Sequence, residues 1–473
     1  MKPRLASQIA ATVAGRLEGA DVVVGPAVVF DSRQAAPGAL FVAVAGEHVD
    51  GHDFAAAAAQ RGAVAALVGR VVAAPLAQIV VPDPSQALVE LARTIAKAAH
   101  ANGMTCFGLT GSSGKTSTKD MLAQILEPVA PTVAPRGSYN NGLGLPITVT
   151  AVDQTTRFLV AEMGASNIGH IAWLCTIVRP DIAAVLNVGH AHIGEFGSQA
   201  AIAQAKGEIV EALPPDGWAV LNADDPLVAG MANRTEAQVA WFSPTGRPPA
   251  GAACWVAARD IVLDELARPR FHLVGQTPDG SFDEAVALRT LGAHQVANAC
   301  AAAGLALCAG LAPGLVAGGL NRAVARSAWR MEPHRLAGGL LLLNDAYNAN
   351  PDSVAAALDA LAALQASHPG VATAAVLGDM LELGDSAPAA HQAIGFQAAA
   401  QGAVVVAVGD FADQIAQGAR RAGGEVHVLA PDDVADWLLA RPFGLVLVKG
   451  SRGAGLETVA GRLVELRGEE AAS

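Results

Sequence analysis

The chain has 473 residues, enough for about three domains at roughly 150 residues each. Its 31 Lys and Arg stand against 43 Asp and Glu, a formal charge of -12 without a basic stripe, which excludes nucleic acid as the expected partner. Apolar residues make up 52% and aromatics only 4%, so the cores must be built from Ala, Val and Leu, a composition suited to helices packed on parallel sheets.

From the N-terminus, Met1 to Ala20 places Leu5, Ile9 and Val13 on one helical face among Arg4, Arg16 and Glu18, which predicts an amphipathic helix rather than a signal peptide. Apolar runs at 22–24, 40–44, 65–68 and 78–81 alternate with turns and an Ala-rich helix, and a helix over 85–100 leads out of this small α/β unit. A second unit has buried-strand candidates at 105–109, 158–161, 182–188 and 219–222, separated by helical stretches. The uncharged segment 296–320 approaches membrane-span length, but Asn298, Pro313 and its glycines divide it into two buried helices. A third unit begins near 325–333 and carries strand candidates at 340–343, 374–377, 404–408 and 445–448. The expected boundaries are 1–100, 101–325 and 326–473. The fold class is α/β: a small first domain, a central parallel sheet of the P-loop ATPase type and a Rossmann-like third domain. Cys106, Cys175, Cys254, Cys300 and Cys308 are odd in number and lack any C-x-x-C, which argues for reduced thiols in a reducing, cytoplasmic compartment.

The densest chemistry is Thr110-Gly111-Ser112-Ser113-Gly114-Lys115-Thr116, directly after a strand and ahead of the helix starting at Ser117. Small residues let successive N–H groups close on phosphate oxygens, Lys115 adds a point charge, and the Thr116 hydroxyl can ligate Mg2+. The first glycine of the general pattern would fall on Leu109. Glu162 follows a strand; alone, such a glutamate is more often a solvated charge or a cap, but with the loop present it suits an acidic magnesium ligand across from it.

The T-G-x-x-G-K-T form resembles the Mur ligase and folylpolyglutamate synthetase superfamily, and the likeness to the D-alanyl-D-alanine-adding Mur ligases extends over nearly the whole chain. It implies that Gly111 through Ser117 bind ATP. It also implies that His192, in Asn187-Val188-Gly189-His190-Ala191-His192-Ile193-Gly194, joins Thr116 and Glu162 on the metal; chemistry alone does not separate His192 from His190. Lys206 occupies the place of the family's carbamylated lysine, whose carbamate, unlike an ammonium, can ligate a cation.

In the first domain, the segments Asp31-Ser32-Arg33, Pro37 to Ala43, Gly46-Glu47 and Asp50 to Phe54 resemble the family's uridine-nucleotide site. Ser32 and Arg33 are candidate UDP-substrate contacts, with turn formation the competing role. Asn140 and Asn141, in Ser138-Tyr139-Asn140-Asn141, resemble the loop that meets the muramyl substrate and are also common turn formers. Asn298, in Gly292 to Asn298, resembles an adenine contact, with Gln295 where the family usually has Asn. In the third domain, Arg330 and Asp345 resemble groups that reach ATP, while Asn348 and Asn350 fall on the D-Ala-D-Ala side. Trp329 stands where a glycine is common. Leu377 to Gly384 with His391, and Lys449 to Arg452, complete the pattern, with structural turns as the competing role.

The implied activity is ATP-dependent joining of D-alanyl-D-alanine to UDP-N-acetylmuramoyl-tripeptide through an acyl phosphate, with Lys115, Glu162, His192, Lys206 and Arg330 as the catalytic groups. The expected molecule is a cytoplasmic monomer with no membrane span. The rivals are a sister ligase adding one amino acid or extending folate, and a noncatalytic nucleotide-dependent binding protein.

Overall fold

The computed structural model describes residues 1–46, 49–135, 137–246 and 248–470, so Glu47 of the first-domain motif lies outside the described residues. Among the described residues, three large sheets follow one another along the chain, beside one two-stranded pair near the N-terminus. The first contains β1 (Arg16–Glu18), β2 (Val28–Val29), β3 (Leu40–Val42), β4 (Ala65–Val68) and β5 (Ala77–Val80) in the order β1-β5-β4-β3-β2. Only β1 runs antiparallel. Every residue of β3 and β4 is buried, as in strands covered on both faces.

The helix expected over residues 1–20 is confined to α1 (Ala6–Thr12), flanked by a strand pair, Arg4–Leu5 with Val23–Val24. Two features stop it. Ala14 takes a positive φ of 51°, outside the right-handed helix, and Gly15 packs so tightly that a Cβ there would lie 2.8 Å from Val81 and 2.9 Å from Ile79. The chain therefore turns to feed β1. At the other end of the unit, Asp83 accepts the N–H groups of Ser85 and Gln86 and Pro84 occupies the first turn, which starts α2 (Pro84–Ala101).

The central sheet has nine strands: β6 (Thr105–Thr110), β7 (Thr132–Val133), β8 (Phe158–Glu162), β9 (Ile182–Val185), β10 (Trp218–Asn222), β11 (Gln238–Ser243), β12 (Trp255–Leu263), β13 (Pro269–Thr277) and β14 (Gly280–Ala287). Their order is β14-β13-β12-β11-β10-β9-β6-β8-β7, parallel from β7 through β12 with the last two antiparallel. The associated helices include α3 (Lys115–Leu126), α4 (His170–Ile177), α5 (Gln199–Glu211), α6 (Gln295–Cys308) and α7 (Pro313–Arg322). Pro313 does divide the long apolar stretch, and among the described residues no helix is long and apolar enough to cross a membrane.

Register sets the site. Leu109 of β6 pairs with Glu162 of β8, and Thr110 pairs with Val185 of β9, so three neighbouring parallel strands deliver their carboxyl ends together. Strand β9 ends at Val185 rather than at the expected residue 188, because the next backbone groups leave the ladder. Asn187 O accepts Ser112 N, and Val188 N donates to Asp225 Oδ2 at 2.8 Å.

The third sheet contains β15 (Glu332–Leu336), β16 (Leu340–Asp345), β17 (Ala372–Leu377), β18 (Val404–Ala407), β19 (Val426–Val428) and β20 (Phe443–Lys449), ordered β15-β16-β20-β17-β18-β19 with only β15 antiparallel. Helices α8 (Pro351–Ser367) and α9 (Ala387–Ala400) follow β16 and β17. Asp345 and Lys449 pair in register at adjacent strand ends.

Candidate active site

The loop after β6 closes on itself before α3 begins. Asn187 Oδ1 accepts both Ser112 N and Ser113 N at 2.9 Å, and Lys115 Nζ donates to Gly111 O at 2.6 Å. Gly114 adopts φ 80° directly over Asn298, where a Cβ would overlap Asn298 Oδ1. Desolvation lowers the pKa of Lys115; Glu162 opposes the shift and Arg330 adds to it. This loop borders a cavity of about 520 Å³ that is lined by both the central and the third units.

Glu162 is buried at the end of β8. Its Oε2 accepts the Thr116 hydroxyl at 3.0 Å and its Oε1 accepts Asn140 Nδ2 at 2.8 Å. Ser138 Oγ lies 2.8 Å from Thr116 Oγ1 and accepts Arg330 Nη2 at 2.7 Å, so one hydroxyl joins the phosphate loop to the third unit. The Ser138 segment is held from below by Lys119, fully buried on α3, which donates to Pro135 O at 2.6 Å and Gly137 O at 3.1 Å and pairs with Asp120. Sequence reading passed over Lys119; a lysine on the inner side of a helix was the available signal.

Lys206 projects from α5 into the same cavity and is buried. No hydrogen bond reaches its ammonium among the described residues, and desolvation, with Lys115 adding to it, holds its pKa well below the usual lysine value. Helix α5 is braced on its far side: Arg234 donates to Ala203 O at 3.1 Å, Gln204 O at 2.8 Å and Glu211 Oε1 at 2.9 Å. Glu208 accepts Gly169 N and Ala172 N at the start of α4, at 2.5 and 2.9 Å, fixing His170 on the cavity wall.

His192 lines the cavity, and its Nδ1 lies 2.5 Å from Glu382 Oε2 of the third unit. Burial lowers its pKa, followed by the nearby Lys115 charge. His190, the other candidate, donates its backbone N–H to Asp352 Oδ2 at 3.0 Å, and its ring is about half exposed.

The third unit brings Arg330, Asp345, Asn348 and Asn350 to the cavity. Arg330 stacks over Tyr347, with 4.1 Å from its guanidinium carbon to the ring centre. Asp345 accepts Met331 N at 3.0 Å and Lys449 Nζ at 2.6 Å, a buried pair that also reaches Asn348 O. Asn350 caps α8 by accepting Ser353 N at 2.8 Å. In the same way, Asn141 Oδ1 accepts Leu143 N and Gly144 N at the start of the next helix.

Asn298 borders the cavity beneath the phosphate loop, near Thr118 and with its Nδ2 donating to Gln295 Oε1 at 2.9 Å. Ser32 and Arg33 lie outside this cavity, in the first unit; the Arg33 side chain is 82% exposed and its Nε and Nη2 donate to the Asp31 carboxylate, which raises the arginine pKa. The first unit meets the central loop nearby, where Tyr139 OH donates to Gln34 Oε1 at 3.4 Å and its ring lies 6.3 Å from that of Phe30. Among the described residues, no three His, Cys, Asp or Glu side chains cluster as a ready metal site.

Comparison with known proteins covers most of the chain. Residues 27–95 match the model of the Mur ligase family catalytic domain, 109–306 the Mur ligase middle domain, and 329–452 the glutamate ligase domain of Mur ligases. A UDP-N-acetylmuramoyl-tripeptide–D-alanyl-D-alanine ligase of Mycobacterium tuberculosis is 42% identical, with 92% of each chain covered. The Escherichia coli protein of the same description is 37% identical over 97% of this chain and 98% of its own. Among solved structures, MurF from Acinetobacter baumannii superposes with TM-score 0.83 at 32% identity, covering 98% of this chain and 99% of that one. MurF ligase from Thermotoga maritima in complex with ADP gives 0.74 at 27% identity over 93% and 97%.

Proposed function

The chain belongs to the Mur ligase family, and from that premise we infer that it is an ATP-dependent ligase of peptidoglycan biosynthesis. It joins D-alanyl-D-alanine to UDP-N-acetylmuramoyl-tripeptide. The observation that carries the residue assignments is the convergence of the phosphate loop, Glu162, His192, Lys206 and Arg330 on one cavity.

The N–H groups from Gly111 to Ser117 bind the ATP phosphates, while Lys115 and Arg330 offset negative charge as the γ-phosphoryl group moves. A carboxylate oxygen of the tripeptide attacks γ-phosphorus, the bond to the β-phosphate oxygen breaks, and ADP leaves. The amine of D-alanyl-D-alanine then attacks the acyl phosphate carbon and loses a proton, and inorganic phosphate departs from the tetrahedral intermediate. Asn140, Asn348 and the Asp345–Lys449 pair orient the reactants, so much of the acceleration comes from positioning. Asn298 and Asp345 serve the nucleoside side from beneath the loop and from the third unit.

The donor set fits a divalent cation. The Thr116 hydroxyl and Glu162 carboxylate converge on one point, and Lys206 has the buried, unbonded amine that carbamylation requires: its neutral form attacks carbon dioxide and releases a proton. Thr116, Glu162, His192 and carbamylated Lys206 would hold Mg2+, which supplies charge neutralisation at the phosphates. Ser32 and Arg33 bind the UDP portion at a distance from this chemistry, and Asn140 and Asn141 meet the muramyl portion. The protein is proposed to act as a monomer in the cytoplasm, a compartment the free cysteines suit.

The test is phosphate release with ATP, Mg2+ and UDP-muramyl tripeptide, with and without D-alanyl-D-alanine. Release that requires the dipeptide, with UDP-muramyl pentapeptide seen by mass spectrometry, is the expected result. Turnover with a single amino acid or with folate and glutamate instead would transfer the chain to a sister ligase.

A further inference from the structure

One buried lysine holds the loop on which the three units meet. Tyr139 OH donates to Gln34 Oε1 of the first unit at 3.4 Å, Asn140 Nδ2 to Glu162 Oε1 of the central unit at 2.8 Å, and Ser138 Oγ accepts Arg330 Nη2 of the third at 2.7 Å. Residues 137–141 form neither helix nor strand, so regular backbone bonding does not set their path. Lys119 lies one helical turn beyond Lys115 on α3 and is 0% exposed. Its Nζ has three acceptors in reach: Pro135 O at 2.6 Å, Gly137 O at 3.1 Å and Asp120 Oδ1 at 2.7 Å. These use all three N–H groups of an ammonium. Burying an ion pair is costly, and an apolar side chain of similar volume fills such a space without that cost. What only the ammonium supplies is its grip on two loop carbonyls.

We propose that Lys119 is a positioning residue for the tripeptide: by fixing Pro135 O and Gly137 O it sets where Ser138 and Asn140 stand relative to the phosphate loop. It touches no reactant. The helix it belongs to begins at Lys115 and Thr116, and the loop it grips carries the groups on the muramyl side, so one side chain gauges the gap between the γ-phosphoryl group and the carboxylate that attacks it. The phosphate loop is held from elsewhere, by Asn187 Oδ1 on Ser112 N and Ser113 N. Loss of Lys119 therefore misplaces the tripeptide and leaves the nucleotide where it was. A displacement of about 1 Å is enough to cost about 100-fold in rate.

This rests on the reading of the chain as the tripeptide ligase, and the measurements separate the two. Asp120→Asn removes the ion pair and keeps both loop bonds; adding Lys119→Met removes the loop bonds without leaving a charge buried alone, which protects folding. Asp120→Asn should lower the melting temperature while KM for UDP-muramyl tripeptide and kcat stay at their wild-type values. The double variant should raise that KM about 10-fold or more and lower kcat about 10–100-fold. Its affinity for a nonhydrolysable ATP analogue, measured by calorimetry without tripeptide, should be unchanged. Wild-type KM and kcat in the double variant, or equal weakening toward the ATP analogue and the tripeptide, would overturn the positioning role and leave the ligase reading standing. So would the full rise in KM already present in Asp120→Asn, since it would then follow lost stability. A wild type that neither binds UDP-muramyl tripeptide in the calorimeter nor turns it over would remove the ligase reading and this role together.

Discussion

Lys206 is a buried residue whose amine faces the cavity, and desolvation holds its pKa well below the usual lysine value, which favours the neutral amine that can take up carbon dioxide. With 13C-bicarbonate, a carbamate resonance should appear in the wild type and be missing from Lys206→Arg, whose kcat should fall on the order of 100-fold or more. His391 is the opposite case, a buried histidine that is fully used. Its Nε2 accepts Met380 N at 2.8 Å, its Nδ1 donates to Ala387 O at 2.6 Å, and its ring stacks on Phe411 at 4.3 Å. It thereby fixes the start of the turn that carries Glu382. Burial lowers its pKa, so as pH falls below about 6.5 the unfolded chain takes up the proton first and the neutral imidazole's contribution fades; above that value it is fully present. His391→Gln should destabilise by about 1–3 kcal/mol at pH 7.5, and the gap to wild type in thermal melts should narrow on acidification. A gap independent of pH would show that His391 contributes through shape alone.

At the scale of elements, helix α5 shows how packing can reverse a local preference. Gly207 lies inside it, where replacement by Ala ordinarily gains about 1 kcal/mol. A Cβ there would overlap Arg234 Nη1, the group that bonds the backbone beside Lys206. Gly207→Ala should therefore lower both melting temperature and activity; a more stable, fully active variant would refute the bracing role. The sequence displayed the Val- and Leu-rich parallel strands well because a strand buried on both faces is a continuous apolar run. It concealed β13 and β14, whose polar and apolar residues alternate, and β1, whose Arg16-Leu17-Glu18 carries no apolar run. The phosphate loop was legible because its chemistry is local. Asn187, Ser138 and Glu382 gain their roles only from register and from contact between units, which spacing along the chain does not encode.

For the whole molecule, we propose that the third unit closes over the central one when ATP and the tripeptide bind, which would exclude water from the acyl phosphate. The contacts available to such closure include polar ones, Arg330 to Ser138, Asp352 to His190 N, and Glu382 to the His192 segment, beside apolar packing of Ile193 and Leu291 on the third unit's core. Small-angle scattering should show a smaller radius of gyration with a nonhydrolysable ATP analogue and UDP-muramyl tripeptide, and Asp352→Ala should reduce the contraction; identical curves with and without ligands would oppose closure. The Arg326–Glu127 pair is exposed at the same junction, so Glu127→Gln should change stability by no more than about 1 kcal/mol. Trp329 marks the junction as well. It holds φ 60°, a conformation glycine takes freely, its carbonyl accepts Tyr347 N at 3.0 Å, and the Arg452 guanidinium carbon sits 4.4 Å from its ring centre. An indole placed there is a built-in optical probe. With the other five tryptophans replaced by Phe, its emission colour and its quenching by a cation in van der Waals contact would follow the junction in real time, making the order of ligand arrival readable in a stopped-flow trace without attached dyes.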